Sequence, residues 1–177
     1  MLAVVDPLTT LTLPPRVTAS CGMDILCHAL ESYTARHYRS YARRRPEQRA
    51  VYVGNNPVSD AFIEKALPLL SRSFRRAVLT GNDLDARTDM LLAASFAGMG
   101  FGNAGVHIPH ACAPAGDRRA DARHRPADGV ADVGYGNADI PDLVASALKQ
   151  QRILTMAPRD VMAEDLEAIF SNSMRNW

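Results

Sequence analysis

The chain has 177 residues, of which 47% are apolar, and a formal net charge of +1. A chain of this length and composition can bury a hydrophobic core. Its balanced charge argues against nucleic acid as a partner, and no apolar run reaches the roughly 20 residues of a membrane span. The three cysteines form no CxxC pair, which indicates a reducing compartment, with the cytoplasm as the default.

The N-terminal residues predict one short strand and then a break. Leu2 to Val5 is an aliphatic run closed by Asp6-Pro7, and Thr12-Leu-Pro-Pro15 interrupts the chain again. Because a single strand is not stable without partner strands, residues 1–15 are interpreted as the remnant of another domain. Residues 16–177 are then expected to form a helical domain.

Apolar residues recur at helical spacing through most of the remaining chain. The predicted helices are about Ser20 to Tyr38, Asn56 to Leu79, Asp83 into the Gly98–Gly105 stretch, Ile140 to Gln150, and Arg159 to Met174. Asn56-Pro57 is a strong helix start, because Asn caps free backbone N–H groups and Pro suits the first turn. The fold class predicted from these segments is mainly α.

The first predicted helix has two faces of different composition. The expected core-facing stripe consists of Met23, Leu26, Leu30 and Tyr33. The side expected to face solvent carries Asp24, His28, Glu31 and Ala35. A functional site on that second side therefore requires another element opposite it.

Asp24 and His28 have the spacing of a metal-ligand pair. Residues four apart on a helix lie one above the other, about 6 Å apart at Cβ. His110 lies near Gly-rich sequence that permits close helix approach and would be a third donor. One carboxylate and two imidazoles suit divalent iron, zinc or manganese, whereas an ordinary surface pair is the alternative. Cys27 points about 100° away from His28 on a helix, so core packing is expected for it.

Gly100-Phe-Gly102-Asn-Ala-Gly105 matches the dinucleotide-binding pattern GxGxxG. That pattern binds a pyrophosphate only where it follows a strand and opens a helix. Here it follows a helical pattern, so close helix packing or a turn is the favoured interpretation.

Residues 111–128 differ in composition from the rest of the chain. They are rich in Ala, Arg, Asp, Gly and Pro and have almost no large apolar residue, so they cannot bury a helix or strand face. An irregular segment is predicted here.

Several motifs carry a resemblance to a known family. They are Ala19-Ser-Cys-Gly-Met-Asp-Ile-Leu-Cys-His-Ala-Leu-Glu-Ser-Tyr-Thr34, Asn56-Pro-Val-Ser-Asp60, Asp85-Ala-Arg87 and Ala94-Ser-Phe-Ala-Gly-Met-Gly-Phe-Gly-Asn-Ala-Gly-Val-His107. Together they resemble the iron-containing alcohol dehydrogenase family. Gly134-Tyr-Gly-Asn-Ala-Asp-Ile-Pro141 and the Arg-rich stretch before Asn55 are most similar to its hydroxyacid-oxoacid transhydrogenase branch. The similarity covers about Leu2 to His110 and Asp128 to Trp177, and the unmatched stretch between them indicates an internal deletion or a misread frame.

The resemblance implies a fold and a ligand set. The fold is the helical metal-binding domain of the iron-containing alcohol dehydrogenase and dehydroquinate synthase-like type, with residues 1–15 as the end of a nucleotide-binding domain. Asp24, His28 and His110 would be three of the four protein ligands to the catalytic metal. The family's fourth ligand is a His in a His-Gly context, which this sequence lacks, and His124 is the candidate here. The family's usual active-site His is replaced by Pro114, so no catalytic or cofactor-binding residue is assigned.

The resemblance also implies an activity. It is the metal-dependent, NAD-linked oxidation of an alcohol or hydroxyacid, and in the transhydrogenase branch the substrates are 4-hydroxybutyrate and 2-oxoglutarate. The cofactors would be Fe²⁺, or Zn²⁺ or another divalent metal, together with NAD. The partners would be a small-molecule substrate and further copies of the chain in a homo-oligomer. The alternative is an inactive helical fragment, or a metal-binding module that needs a separate nucleotide domain.

Overall fold

The computed structural model describes residues 3–43, 45–48, 51–116 and 129–175. These residues are mainly helical, which confirms the predicted fold class. Two compact units are present, Met1–Gly105 and Val106–Trp177. Within the described ranges the one β-type pairing is an isolated bridge between His37 and Asn55. Of the helices described, none has the length and apolar character needed to cross a lipid bilayer.

Three long helices make up most of the first unit. They are α1 (Pro15–Thr34), α2 (Pro57–Leu79) and α3 (Leu84–Ala104), and each packs against the other two. Their shared core consists of Ile25, Ala29, Ile63, Ala66, Leu70, Ala77, Ala86, Met90, Ala93 and Ala97. Because alanine is the commonest residue in this core, the three backbones can approach one another closely.

The start of α2 is fixed by side-chain hydrogen bonds, as the sequence predicts. Asn56 Oδ1 accepts from the backbone N–H groups of Val58 at 3.1 Å and Ser59 at 3.2 Å. The Ser59 hydroxyl in turn accepts from the Asn56 backbone N–H at 3.2 Å. This reciprocal capping box satisfies donors that a helix start leaves unpaired.

The predicted core-facing stripe of α1 is wrong at three of its four positions, and only Leu26 packs against the core. Met23, Leu30 and Tyr33 are about half exposed, at 51%, 47% and 49%. Glu31 and Ala35, which were expected to face solvent, are buried. The buried positions within the helix are Thr18, Gly22, Ile25, Ala29, Glu31 and Ser32. Small residues occupy this face because the neighbouring helices come close: a Cβ on Gly22 would lie 2.1 Å from Phe74 Cε2.

The glycines near residue 100 lie within a helix. α3 continues through Gly98, Gly100 and Gly102, and the chain leaves it at Gly105 with φ of 99°. A Cβ on Gly100 would lie 2.4 Å from Ile63 Cδ1, so close packing against α2 requires glycine there. The helix-packing interpretation is confirmed, and the GxGxxG stretch does not form a loop that could surround a phosphate.

The described part of the second unit contains four shorter α-helices. They are α4 (Ile108–Gly116), α5 (Ile140–Leu148), α6 (Gln151–Leu154) and α7 (Ala163–Asn172). α5 packs against α4 and α7, and α4 also contacts α6. The apolar residues buried here include Ile140, Leu143, Ala147, Ile153, Leu154, Met156, Leu166 and Phe170.

Three predicted segments differ from the structure. The first helix spans Pro15–Thr34 instead of about Ser20 to Tyr38, because Pro15 suits its first turn and the backbone leaves the helical conformation at Ala35, with ψ of 152°. Ala3 to Asp6 form no strand, and Pro7–Thr10 form a 3₁₀ helix in which Asp6 Oδ1 accepts from Leu8 N at 2.9 Å. The Asp6 side chain thus turns the chain, and the described residues offer no partner strand. The irregular segment predicted for residues 111–128 is wrong for residues 111–116, because α4 extends to Gly116. Residues 117–128 lie outside the described residues, and the domain boundary at residue 15 stays a prediction.

Candidate metal centre and its cavity

α1 places Asp24 and His28 one helical turn apart, as their spacing predicts. Asp24 Oδ2 lies 3.7 Å from His28 Nδ1, and the two side chains are 59% and 20% exposed. Two ligand atoms that each lie about 2.1 Å from one ion are at most about 4.2 Å apart. The observed separation therefore allows the carboxylate oxygen and the imidazole nitrogen to bind the same divalent ion.

The His28 ring is packed face to face against an aromatic ring from another helix. Its centroid lies 4.1 Å from that of Phe101 on α3, and the two ring planes differ by 12°. Parallel stacking at this distance restricts rotation of an imidazole about its χ2 angle. The orientation of the His28 nitrogens is thus coupled to the packing of α1 against α3.

Asp24 and His28 line a cavity of about 340 Å³ within the first unit. The segment before α1 contributes Thr10 and Leu13. The remaining lining residues come from α1 and α3: Thr18, Cys21, Asp24, Ile25, His28, Arg87, Met90, Leu91, Ala94 and Phe101. Apolar walls with a few polar groups at defined positions are typical of small-molecule sites.

Arg87 is a buried cation in the wall of this cavity, only 2% exposed. Its guanidinium donates to Gly81 O at 2.9 Å, Thr18 Oγ1 at 2.6 Å and Leu13 O at 3.3 Å. These three bonds fix the start of α3 to α1 and to the segment before it. Within the described ranges the acceptors of Arg87 are all uncharged oxygens.

Cys27 adjoins His28 in the sequence but does not line the cavity. Burial raises the pKa of its thiol, and the nearby carboxylates of Glu31 and Asp24 raise it further. A raised pKa favours the neutral thiol, which packs as a small apolar group. These observations agree with the packing role predicted for this residue.

The other two predicted ligands lie elsewhere in the chain. His110 is a half-buried residue of α4 and belongs to the second unit. His124 lies outside the described residues. The structure brings Asp24 and His28 together within the first unit, and the larger ligand set stays a prediction.

Sequence reasoning did not identify Phe101 or Arg87 as parts of the site. Arg87 lies in a motif that served only the family resemblance, and Phe101 lies in the GxGxxG stretch, where only its glycines were considered. Neither spacing nor residue type marks an aromatic or a cation as a cavity residue. In the structure Phe101 lies seven residues after Ala94, on the same face of α3, and both line the cavity.

Comparisons with known proteins identify relatives of this chain. Residues 47–116 match the family described as "Fe-containing alcohol dehydrogenase family, C-terminal". The chain is similar to hydroxyacid-oxoacid transhydrogenase, mitochondrial, from Bos taurus, with 35% identity over 98% of this chain and 53% of the relative. The protein of the same name from Caenorhabditis briggsae is 55% identical over 111 residues, which are 62% of this chain and 24% of the relative.

Solved structures show the same fold. A 1,3-propanediol oxidoreductase superposes with a TM-score of 0.76 at 24% identity, over 95% of this chain and 54% of its own. An alcohol dehydrogenase from Oenococcus oeni has a TM-score of 0.76 at 23% identity, with the same coverage. A sulfoacetaldehyde reductase from Bifidobacterium kashiwanohense, solved in complex with NAD⁺, has a TM-score of 0.70 at 19% identity, over 96% of this chain and 53% of its own.

The chain is shorter than these relatives in total length, and it also lacks residues within the aligned region. It spans about half the length of the curated relatives that it matches. The alignment with the Bos taurus protein also extends over 246 residues, 69 more than this chain contains, so a long stretch of the relative lies opposite gaps. These gaps are consistent with the internal deletion predicted from the sequence.

Proposed function

Because the chain is a relative of the iron-containing alcohol dehydrogenases, we propose that it contributes to a metal-dependent, NAD-linked oxidoreductase of alcohols or hydroxyacids. The observation that carries this proposal is the Asp24–His28 pair, whose donor atoms lie 3.7 Å apart in the wall of a cavity. The sequence similarity to hydroxyacid-oxoacid transhydrogenases supports 4-hydroxybutyrate and 2-oxoglutarate as substrates.

Asp24, His28 and His110 are proposed to hold the metal, with His124 as the candidate fourth ligand. A carboxylate and neutral imidazoles suit Fe²⁺, and also Zn²⁺. When bound, the metal would supply Lewis acidity toward the substrate oxygen, and NAD would accept the hydride. The half-exposed Asp24 offers a negative charge to offset that of the cation, while the less exposed His28 is held in place by Phe101.

The cavity suits a small substrate that carries a carboxylate. Its apolar residues, including Ile25, Met90 and Leu91, would exclude water from the reacting carbon. Arg87 contributes a buried positive charge to the same wall, which would favour an anionic substrate over a neutral one. A hydroxyacid therefore fits the cavity better than a simple alcohol.

The metal site can be tested with two neighbouring substitutions. His28→Ala removes a proposed ligand and should lower the affinity for Fe²⁺ or Zn²⁺ steeply. Cys27→Ala is the matched control, because it should cost only packing, about 1 to 2 kcal/mol. Metal content after dialysis, measured by mass spectrometry, separates the two variants. Equal metal retention by both would contradict the assignment.

A second candidate function is a metal-binding module that needs a separate nucleotide domain. It is favoured by the position of the GxGxxG stretch inside α3, where the stretch forms no phosphate-binding loop. Purified chain should be assayed for NAD-dependent oxidation of 4-hydroxybutyrate after anaerobic loading with Fe²⁺. Turnover supports the enzyme, and stoichiometric metal without turnover supports the module. Absence of metal binding contradicts both.

The compartment is part of the proposal as well. None of the three cysteines is part of a disulfide bond, which fits a reducing environment. The relatives that match the chain are named as mitochondrial proteins, and the sequence analysis favours the cytoplasm. A chain fused to a fluorescent protein and followed by microscopy would distinguish these two locations.

A further inference from the structure

We propose that Phe101 is a positioning residue for the metal centre, which holds the His28 imidazole in the orientation needed for coordination. This inference rests on the proposed function, since it concerns the same metal. It assigns a role to a side chain that offers no ligand atom of its own. Its basis is the contact between one ring on α1 and another on α3.

The geometry of the contact fixes the plane of the imidazole. The ring centroids of His28 and Phe101 lie 4.1 Å apart and the planes are within 12° of parallel. At this separation the His28 ring cannot turn about χ2 without colliding with the phenyl face. An imidazole nitrogen coordinates through a lone pair that lies in the ring plane, so fixing the plane also fixes the direction of the metal bond.

The surroundings of the two rings support this role. His28 is 20% exposed and Asp24 is 59% exposed, so a metal ion in solvent can reach the pair. Without the phenyl ring, the cavity that His28 and Phe101 both line would give the imidazole room to rotate. The ligand would then lose conformational entropy on binding a metal, and the affinity would fall.

Phe101 is itself well placed to act as a fixed surface. It lies on α3 next to Gly100, which packs directly against Ile63 of α2. The backbone that carries the phenyl ring is therefore held close to α2. A movement of the Phe101 backbone would therefore disturb the packing of α3 against α2.

The test compares substitutions of Phe101 with a matched control on the same helix. Phe101→Leu and Phe101→Met remove the flat ring and keep an apolar side chain, whereas Phe101→Tyr keeps the ring. Phe96 is the control position, because it is also half-buried on α3 but packs against the helical core and does not line the cavity. Phe96→Leu therefore imposes a similar loss of packing without touching His28.

The measurements are the affinity of the full chain for Co²⁺ and the visible absorption spectrum of the bound ion. Phe101→Leu and Phe101→Met should lower the affinity about tenfold or more and change the absorption bands, because the ligand geometry changes. Phe101→Tyr keeps the ring, so it should have the Co²⁺ affinity and the absorption bands of the unmodified chain. Phe96→Leu should lower the thermal stability and leave the affinity and the bands unchanged.

The outcomes separate this inference from the proposed function. If the unmodified chain binds no Co²⁺, both are overturned. If it binds Co²⁺ and the Phe101→Leu or Phe101→Met chain binds it equally well with the same spectrum, only the positioning role is overturned. An equal loss of affinity in Phe96→Leu would also overturn it, since the effect would then come from general destabilisation.

Discussion

The side-chain amide of Asn56 donates to Asn103 Oδ1 at 3.0 Å, and so connects the start of α2 to the end of α3. The same amide donates to Gly54 O at 2.8 Å, while the carbonyl oxygen caps α2. Asn56 is only 9% exposed. One buried side chain therefore combines the capping of a helix with a contact between two helices, and it uses both its donor and its acceptor groups.

Substitution of Asn56 should separate these two roles. Asn56→Asp keeps an oxygen for the cap but loses the amide donor. Its carboxylate would then face two other acceptor oxygens, Gly54 O and Asn103 Oδ1, which it would repel. Asn56→Ala loses both functions. We expect each to lower the free energy of unfolding by about 1 to 3 kcal/mol, measured by urea denaturation. Wild-type stability of Asn56→Asp would show that only the cap matters.

Two glycines on α3 should respond to alanine in opposite directions. A Cβ on Gly98 would have no heavy atom within 4 Å, whereas one on Gly100 would lie 2.4 Å from Ile63 Cδ1. Gly98→Ala should stabilise the chain by about 0.5 to 1 kcal/mol, because alanine has less backbone entropy to lose. Gly100→Ala should destabilise it by about 1 to 3 kcal/mol through overpacking.

The steric origin of the Gly100 effect can be checked with a second substitution. Ile63→Val removes the Cδ1 atom that the new methyl group would approach. The double variant should therefore be less destabilised than the sum of the two single variants. Additive effects in thermal denaturation would rule out this contact as the cause.

Arg87 should be difficult to replace, even by lysine. Its three hydrogen bonds reach Gly81, Thr18 and Leu13 from one planar group, and an ammonium cannot reproduce that fork. We expect Arg87→Lys to cost about 2 kcal/mol or more, since buried acceptors lose their partners. Arg75→Lys on the exposed side of α2 is the control and should change stability by less than about 0.5 kcal/mol. Equal chemical denaturation midpoints for the two variants would contradict this role.

Asp89 should make the stability of the first unit depend on pH. Hydrogen bonds from Arg72, at 2.7 Å, and from Ser73 hold the pKa of the Asp89 carboxyl below its ordinary value of 3.8. Folding thus favours the ionised form. The resulting stabilisation is complete above pH 3.8 and is lost as the pH falls from there through the lowered pKa.

Asp89→Asn should therefore be less stable than the unmodified chain near neutral pH, with a difference that shrinks below about pH 4. Thermal denaturation followed by circular dichroism over this range measures the effect. Asp85→Asn, an exposed carboxyl one turn earlier on α3, is the control and should show a smaller difference at every pH. A constant difference for Asp89→Asn across the range would disprove the proposed linkage.

Local sequence signals predicted which segments are helical. The buried helix faces and the contacts between helices depend on tertiary packing and were not predicted. The cap at Asn56 determined the start of α2 because it acts within a few residues. Which face of α1 is buried could not be predicted, since Gly22 and Ala29 are buried only because α2 and α3 approach them closely. The Asp24–His28 pair followed from helix geometry alone. The contact with Phe101 depends on how two helices distant in sequence pack, and no local pattern encodes it.

Asp24 and His28 lie on one uninterrupted helix, so the geometry of that helix sets the distance between them, and the rest of the chain does not. Gains or losses of sequence beyond residue 34 leave that interval untouched. This half of the site is consequently insensitive to large differences in length elsewhere in the chain, such as the gaps in its alignment with the bovine relative.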